Sequence, residues 1–283
     1  MSNEVVALVL TGALLHAGWN TLVKSSADKA LDTALIHSLG SLLGLPLLAA
    51  VGFPPAQALP YVAASAVIHL VYYTALVSAY EHGELSLTYP IMRGVGPLLV
   101  ALVSSLALGE AISLAAWVGV GAVSLGVLLL AHPGRSVAQP RAVGFALLNA
   151  GVIALYTVVD ALGARSAAHH GGNALQYIAL LFVLDGWPYA LLVMRARHWP
   201  TALHYARRRL GWSLGGACAS LGSYAIALWA MTRAPVASVA ALRECSVLFA
   251  AVLGVLMLGE RISLAKIAGT LSILGGVLAL RLA

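Results

Sequence analysis

Apolar runs of about 20 residues follow one another along nearly the whole chain. A span of the membrane needs a run of roughly 20 apolar residues. Ten such windows fit, at about 4–23, 33–51, 58–80, 85–108, 112–131, 142–162, 173–194, 210–231, 235–258 and 263–282. Of the 283 residues 61% are apolar and only 9% charged, too few polar groups to clothe a soluble domain of this size. The expected class is an all-α, multi-pass membrane protein of ten transmembrane helices.

The chain also repeats itself. Shifted by 150 residues, Arg93 falls on Arg243, Leu98 on Leu248 and Ala101 on Ala251. Leu108-Gly109-Glu110 falls on Leu258-Gly259-Glu260, and Ile112-Ser113-Leu114 on Ile262-Ser263-Leu264. The expected organisation is a five-helix repeat over residues 1–131, a linker at 132–141 (HPGRSVAQPR) and a second five-helix repeat over 142–283. Five spans are an odd number, so the second copy enters the membrane upside down. Inverted repeats are an architecture of secondary transporters, with the binding site near the midplane between the halves.

Both copies keep an arginine inside an apolar span. On the insertion scale a central arginine costs about 2.5–3.5 kcal/mol, and each Leu, Ile, Val or Phe returns about 0.3–0.6. Eleven such aliphatic residues between Leu85 and Leu108 outweigh Arg93. Insertion is thereby permitted, but the arginine still requires a partner, a wet cavity or an anionic ligand. Glu244, next to Arg243, points in a different direction on a helix. Two readings stand for Arg93: it holds substrate, or it holds a carboxylate such as Glu244.

Other polar residues share helix faces. His16, Trp19, Asn20 and Lys24 lie at i, i+3, i+4 and i+8, and His69, Tyr72, Tyr73, Leu76 and Tyr80 form a second stripe. Tyr89 precedes Arg93 by one turn, with Pro90 between them. Asn149, Tyr156 and Asp160 share one face, Tyr224 occupies the position equivalent to the third span, and Asp185 lies well inside the seventh. Asp160 is either an interfacial carboxylate or a cavity group, and Asp185 either a proton carrier or half of an ion pair. The pairs Gly40/Gly44 and Gly211/Gly215 have the spacing of close helix packing, and His37 is expected near a span end. The run from Arg195 to Arg209 is expected to be a basic linker.

The formal charge of +6 arises mostly from residues at the ends of windows, where it orients a membrane protein and does not imply nucleic acid. Eleven basic residues fall on one side against Arg165, Arg233 and Arg281 on the other, so both termini are expected outside the cytoplasm. Cys218 and Cys245 read as free buried thiols. No HExxH or P-loop is present, and His16, His37 and His69 lie in three different windows, which argues against a metal-dependent intramembrane enzyme or direct ATP coupling. No cofactor or metal is expected.

The ten windows, the two copies and the paired Leu-Gly-Glu runs resemble the drug/metabolite transporter superfamily, and within it the EamA family, over the whole chain. HAGWNTLVKSSADK (residues 16–29) and AYEHGELSLTYPIMRG (residues 79–94) resemble its branch associated with phosphonate utilisation. The resemblance implies a central cavity lined by spans 1, 3, 4, 6, 8 and 9, with spans 5 and 10 peripheral.

The expected function is therefore a secondary transporter of the cell (inner) membrane, moving a small polar or amphipathic metabolite, anionic in part, by alternating access. Expected substrate contacts are His16, Trp19, Asn20, His69, Tyr72, Tyr73, Tyr89, Arg93, Tyr156, Tyr224, Arg243 and Glu244, with Asp185 and Glu244 as candidates for proton coupling. The alternatives are a flippase of a lipid-linked metabolite and an intramembrane enzyme. Beyond substrate and membrane lipid no partner is expected, and the chain is read as a monomer or weak homodimer.

Overall fold

The structure, a computed structural model of the full chain, describes residues 1–82, 85–130, 140–197, 199–258 and 263–283. Expectations placed on residues 132–139 of the linker, on Gly259 and Glu260, and on the side chains of Lys24 and Tyr80 lie outside the described residues. The described residues are all-α, without strands. The helices are α1 (Asn3–Lys24), α2 (Lys29–Val51), α3 (Leu59–His82), α4 (Leu85–Leu108), α5 (Leu114–Leu129), α6 (Pro140–His169), α7 (Ala174–Ala196), α8 (Trp199–Met231), α9 (Val236–Arg243), α10 (Cys245–Leu258) and α11 (Leu264–Leu282).

Eight of these are long and apolar enough to cross a membrane. The two remaining windows differ from expectation. The fifth yields a helix of only 16 residues, and the ninth is broken into pieces of 8 and 14 residues at Glu244. No proline or glycine makes that break. The Glu244 N–H donates to the Ala241 carbonyl at 3.0 Å and its own carbonyl accepts from Val247 at 2.9 Å, so the helix tightens locally to i→i+3 bonding. The basic linker expected from Arg195 to Arg209 is also absent as such: α7 runs through Ala196 and α8 starts at Trp199.

The first run of Leu108-Gly109-Glu110 is a helix stop and start. Gly109 has φ +63°, a left-handed conformation that costs a residue with a Cβ but not glycine. It ends α4, and the Ser113 hydroxyl then caps α5 by accepting from Ala116 N–H at 3.1 Å. Ser263, the equivalent residue, caps α11 by accepting from Lys266 N–H at 3.3 Å. Between stop and start Glu110 reaches another part of the molecule. It accepts from the Val236 N–H at 3.0 Å, capping α9 where Pro235 cannot, and from Arg165 at 2.6 Å. Arg165 in turn donates to the Met231 and Ala234 carbonyls at 2.8 and 3.2 Å. One carboxylate and one guanidinium thus tie the ends of α4, α6, α8 and α9 together.

Packing sorts the helices into inner and outer sets. Half of the apolar window of α6 is buried against 22% for α11, so α6 is central and α11 peripheral. α3 packs along α6 and α1 along α8, α2 runs against α7, and α4 contacts α6 as α1 contacts α10. Gly40 and Gly44 meet Phe182 and Val183 of α7, as close-packing glycines should. Gly211 and Gly215 face open space instead, while Gly216 meets Ile36 and Leu22. Spacing alone does not tell which face of α8 turns inward. Cys245 is buried and Cys218 exposed, and both are free. The two termini lie on one face, where Arg281 donates to Asn3 at 3.1 Å.

α5 and α11 meet through glycine. A Cβ on Gly126 would stand 2.6 Å from the Gly269 carbonyl oxygen, and one on Gly276 would stand 2.7 Å from that of Gly119. Between them the Ser272 hydroxyl donates to the Ala122 carbonyl at 2.7 Å. Because such an approach leaves no room for a side chain, Gly126→Leu is expected to destabilise the detergent-solubilised protein by about 1–3 kcal/mol. A lowered melting temperature checks this; an unchanged one would mean that the two helices do not touch there.

Candidate functional site

The polar stripes of the inner helices converge on a cavity of about 120 Å³. Its wall includes His16, Trp19 and Asn20 of α1, His69, Tyr72 and Tyr73 of α3, Tyr89 and Arg93 of α4, Tyr156 of α6, Tyr224 of α8 and Arg243 of α9. Every residue expected at the site is brought there except Glu244. The six spans named by the resemblance all contribute, and so do α2 through Ile36 and His37 and α7 through Phe182 and Asp185. Neither α5 nor α11 reaches it.

Much of the wall is aromatic. Trp19 stands edge-on between His16 and His37, with ring centroids 5.2 and 6.0 Å apart, and His37 packs edge-on to Tyr73 at 5.6 Å. Tyr156 lies 4.5 Å from His69 and 5.7 Å from Tyr72. Such rings combine apolar faces with hydrogen-bonding rims, which suits a cavity better than lipid contact. Within α1 the Trp19 indole N–H donates to His16 Nδ1 at 3.3 Å and the Asn20 amide to the His16 carbonyl at 2.8 Å. The accepting role of Nδ1 places the His16 proton on Nε2.

The two arginines have different surroundings. Arg93 Nε lies 2.9 Å from Glu244 Oε2, close enough for an ion pair but not aligned as a hydrogen bond, and its NH2 donates to Ser246 Oγ at 3.2 Å. Glu244 does not line the main cavity. It lies behind Arg93 in a void of about 10 Å³ between α4, α6 and α9. Arg243 has no carboxylate partner among the described residues; its guanidinium lies over the Tyr224 ring, 5.4 Å from the centroid. The break between α9 and α10 thus sends two neighbouring residues to different tasks. Glu244 pairs with Arg93, and Arg243 remains in the cavity with no carboxylate at ion-pair distance among the described residues.

Carboxylates mark the other side of the wall. Asp185 Oδ2 accepts from the Tyr73 hydroxyl at 3.2 Å, and its Oδ1 lies 4.0 Å from His69 Nδ1. Asp160 is fully buried and does not line the cavity. It accepts from the Tyr177 hydroxyl at 2.7 Å and from the Tyr224 hydroxyl as well. Asp160 therefore fixes the tyrosine on whose face Arg243 rests.

Sequence reading missed His37, Phe182, Ser220 and Ser223 as cavity residues. His37 lies one helical turn beyond Thr33, whose carbonyl meets its Nδ1 at 2.8 Å, and faces inward beyond what its place near a span end implied. The two serines follow each other at i and i+3 with Tyr224 on one stripe of α8, a weak signal that was available. His16, His37 and His69, scattered in sequence, share one wall but are separated by aromatic rings. Among the described residues no three His, Cys, Asp or Glu side chains converge as a metal site.

Comparison with known proteins places this arrangement. No curated protein matches the chain significantly. A solved chain described as "Crystal structure of protein" superposes over 100% of this chain and 99% of its own, with a TM-score of 0.76 at 18% identity, so the fold is shared from end to end. The sequence profile of the EamA-like transporter family matches residues 140–282, half of the chain. This multi-pass membrane protein belongs to the EamA-like transporter family.

Proposed function

We propose that the chain is a secondary transporter of the drug/metabolite type in the cell membrane. Its cargo is a small polar metabolite with an anionic group, bound in the aromatic cavity with that group on Arg243. The observation that carries this reading is the Arg243 guanidinium in the cavity, without a carboxylate at ion-pair distance among the described residues, beside an Arg93 paired with Glu244. An arginine within an apolar span and without a carboxylate partner is costly unless water or an anion meets it. At about 120 Å³ the cavity is comparable to the roughly 150 Å³ void that admits a benzene molecule, which favours a cargo of few heavy atoms.

Alternating access between two inverted five-helix repeats, residues 1–131 and 142–283, is the proposed mechanism. The α5–α11 contact supports it. Gly119, Ala122 and Gly126 become Gly269, Ser272 and Gly276 under the 150-residue shift, and they meet as Gly119 with Gly276, Ala122 with Ser272 and Gly126 with Gly269. Equivalent residues exchanged across antiparallel helices are what a local two-fold axis in the membrane plane produces. Asp185, with Tyr73 and His69, is the proposed proton carrier.

Reconstitution into proteoliposomes tests the function. Small carboxylates, phosphonates and amino acids are offered with and without a pH gradient. Saturable, protein-dependent flux of at least one of them is expected, with Asp185→Asn keeping exchange but losing gradient-driven accumulation. Flux of none of these classes, with the protein shown to be folded, would overturn the reading.

A further inference from the structure

The main cavity is not centred between the ends of its helices. Asn20 lies one turn from the end of α1 at Lys24, and Tyr89 one turn from the start of α4 at Leu85. Toward the face that carries the termini the distance is greater. About two turns, or roughly 10 Å, separate Tyr224 from the end of α8 at Met231, and Arg243 from the start of α9 at Val236.

That interval is filled with apolar side chains. Val9 of α1, Val62 of α3, Val100 of α4, Leu228 of α8 and Val239 of α9 belong to one cluster, and none is more than 2% exposed. Each lies between a cavity residue of its own helix and the helix end at that face. Together they seal the cavity on the side of the termini.

Outside the seal stands the ion pair of Glu110 and Arg165. Glu110, just past the end of α4, accepts from the N–H of Val236, the first residue of α9. Arg165 of α6 donates to the carbonyls of Met231 and Ala234, at the end of α8 and in the turn that follows. A cap for α9 would require Glu110 alone; with Arg165 bonded to the other side of the turn, the pair clasps it. The two helices so held are those that bring Tyr224 and Arg243 to the cavity. The side chains of Arg165 and Glu110 are 27% and 13% exposed, so on separation both charges pass to water and neither is stranded.

The sequence supplies this clasp once. Under the 150-residue shift Glu110 corresponds to Glu260, but Arg165 corresponds to Leu15. Ion pairs at the opposite ends of the helices, Asp28 with Arg197 and Asp32 with Arg209, join α2 to the end of α7 and to α8 and involve no residue of α4 or α9.

We propose that Glu110 and Arg165 form a latch that holds the transport cavity shut at the face of the termini and parts whenever cargo passes that way. On the transporter reading above, on which this latch depends, the two faces close with unequal strength, and the resting protein favours closure at this one.

Thiol labelling of the full-length protein in detergent, with a charged methanethiosulfonate, tests the latch without any cargo. Cys218 and Cys245 are replaced by Ala. Val9→Cys then reports on the seal, Val62→Cys repeats the measurement from α3, and Ile273→Cys, buried where α11 meets Gly126 of α5, reports on general loosening. With Glu110→Gln or Arg165→Gln added, the two seal reporters are expected to react about 10- to 100-fold faster while Ile273→Cys keeps its rate. Arg165→Lys, which keeps the charge but loses the fork, should fall between. Unchanged rates at both seal reporters would overturn the latch, because the pair then does not hold the seal. Equal acceleration at Ile273→Cys would overturn it as well, because the pair then holds only the fold. Absence of flux in the proteoliposome assay overturns the transporter reading and leaves the labelling rates untouched, so the two failures are told apart.

Discussion

Arg243→Ala is expected to weaken binding of an anionic substrate by about 30- to 1,000-fold, with little change in stability. Charge-assisted contacts in desolvated sites carry about 2–4 kcal/mol, and each 1.4 kcal/mol is a factor of ten in Kd. Stability is spared because Arg243 holds no carboxylate among the described residues; its neighbour is the Tyr224 face, which remains fixed by Asp160 after truncation. Arg243→Lys should fall between the two, keeping charge but losing the planar fork and much of the stacking on Tyr224. Binding is measured by the ligand-induced rise in melting temperature across a substrate panel. An Arg243→Ala protein that binds the same ligands as wild type would remove the anion site.

Arg93→Met has the opposite profile: a loss of about 3–5 kcal/mol in stability. Glu244 is only 6% exposed, and with Arg93 gone it becomes a buried carboxylate without a counter-charge. The position of Glu244 at the junction of α9 and α10 means that the strain falls on the segment that carries Arg243. Adding Glu244→Gln to Arg93→Met should restore most of the stability, because the cost lies in the stranded charge and not in the absence of the pair. Urea unfolding in detergent, followed by tryptophan fluorescence, gives both numbers. If the double variant is as unstable as the single one, the pair is not what Glu244 contributes. Together the two variants test whether these arginines divide a binding role from a structural one, although the repeat makes them equivalent in sequence.

Part of the site could be read without coordinates. The stripes on α1 and α3 were legible because a polar face on an apolar helix cannot be turned to lipid, and so had to converge on something internal. The site therefore assembles the predicted residues from six helices. What could not be read were residues whose role depends on a partner from elsewhere in the chain. Glu110 looked like a marker of the repeat, yet it caps α9 more than 120 positions away. Asp32 is 1% exposed beneath Arg209 and Ser213, partners more than 170 positions away. Gly211 and Gly215 had the spacing of a packing motif on a face that meets nothing, while the neighbouring Gly216 does the packing.

By itself the sequence determined the class and the family. Apolar length, the polar faces and the 150-residue repeat are local or periodic properties, and the membrane requirement for internally bonded backbone turns them directly into helices. Only the tertiary structure decided which of the two equivalent arginines is neutralised. Arg93 and Arg243 have the same sequence context by symmetry, but Glu244 follows one of them and has no carboxylate counterpart after the other, where Gly94 stands. A tightened turn at Glu244 carries that single carboxylate across to α4. The pairing is a contact between halves, and charge neutralisation over 2.9 Å depends on where two helices lie in space and not on their order in the chain.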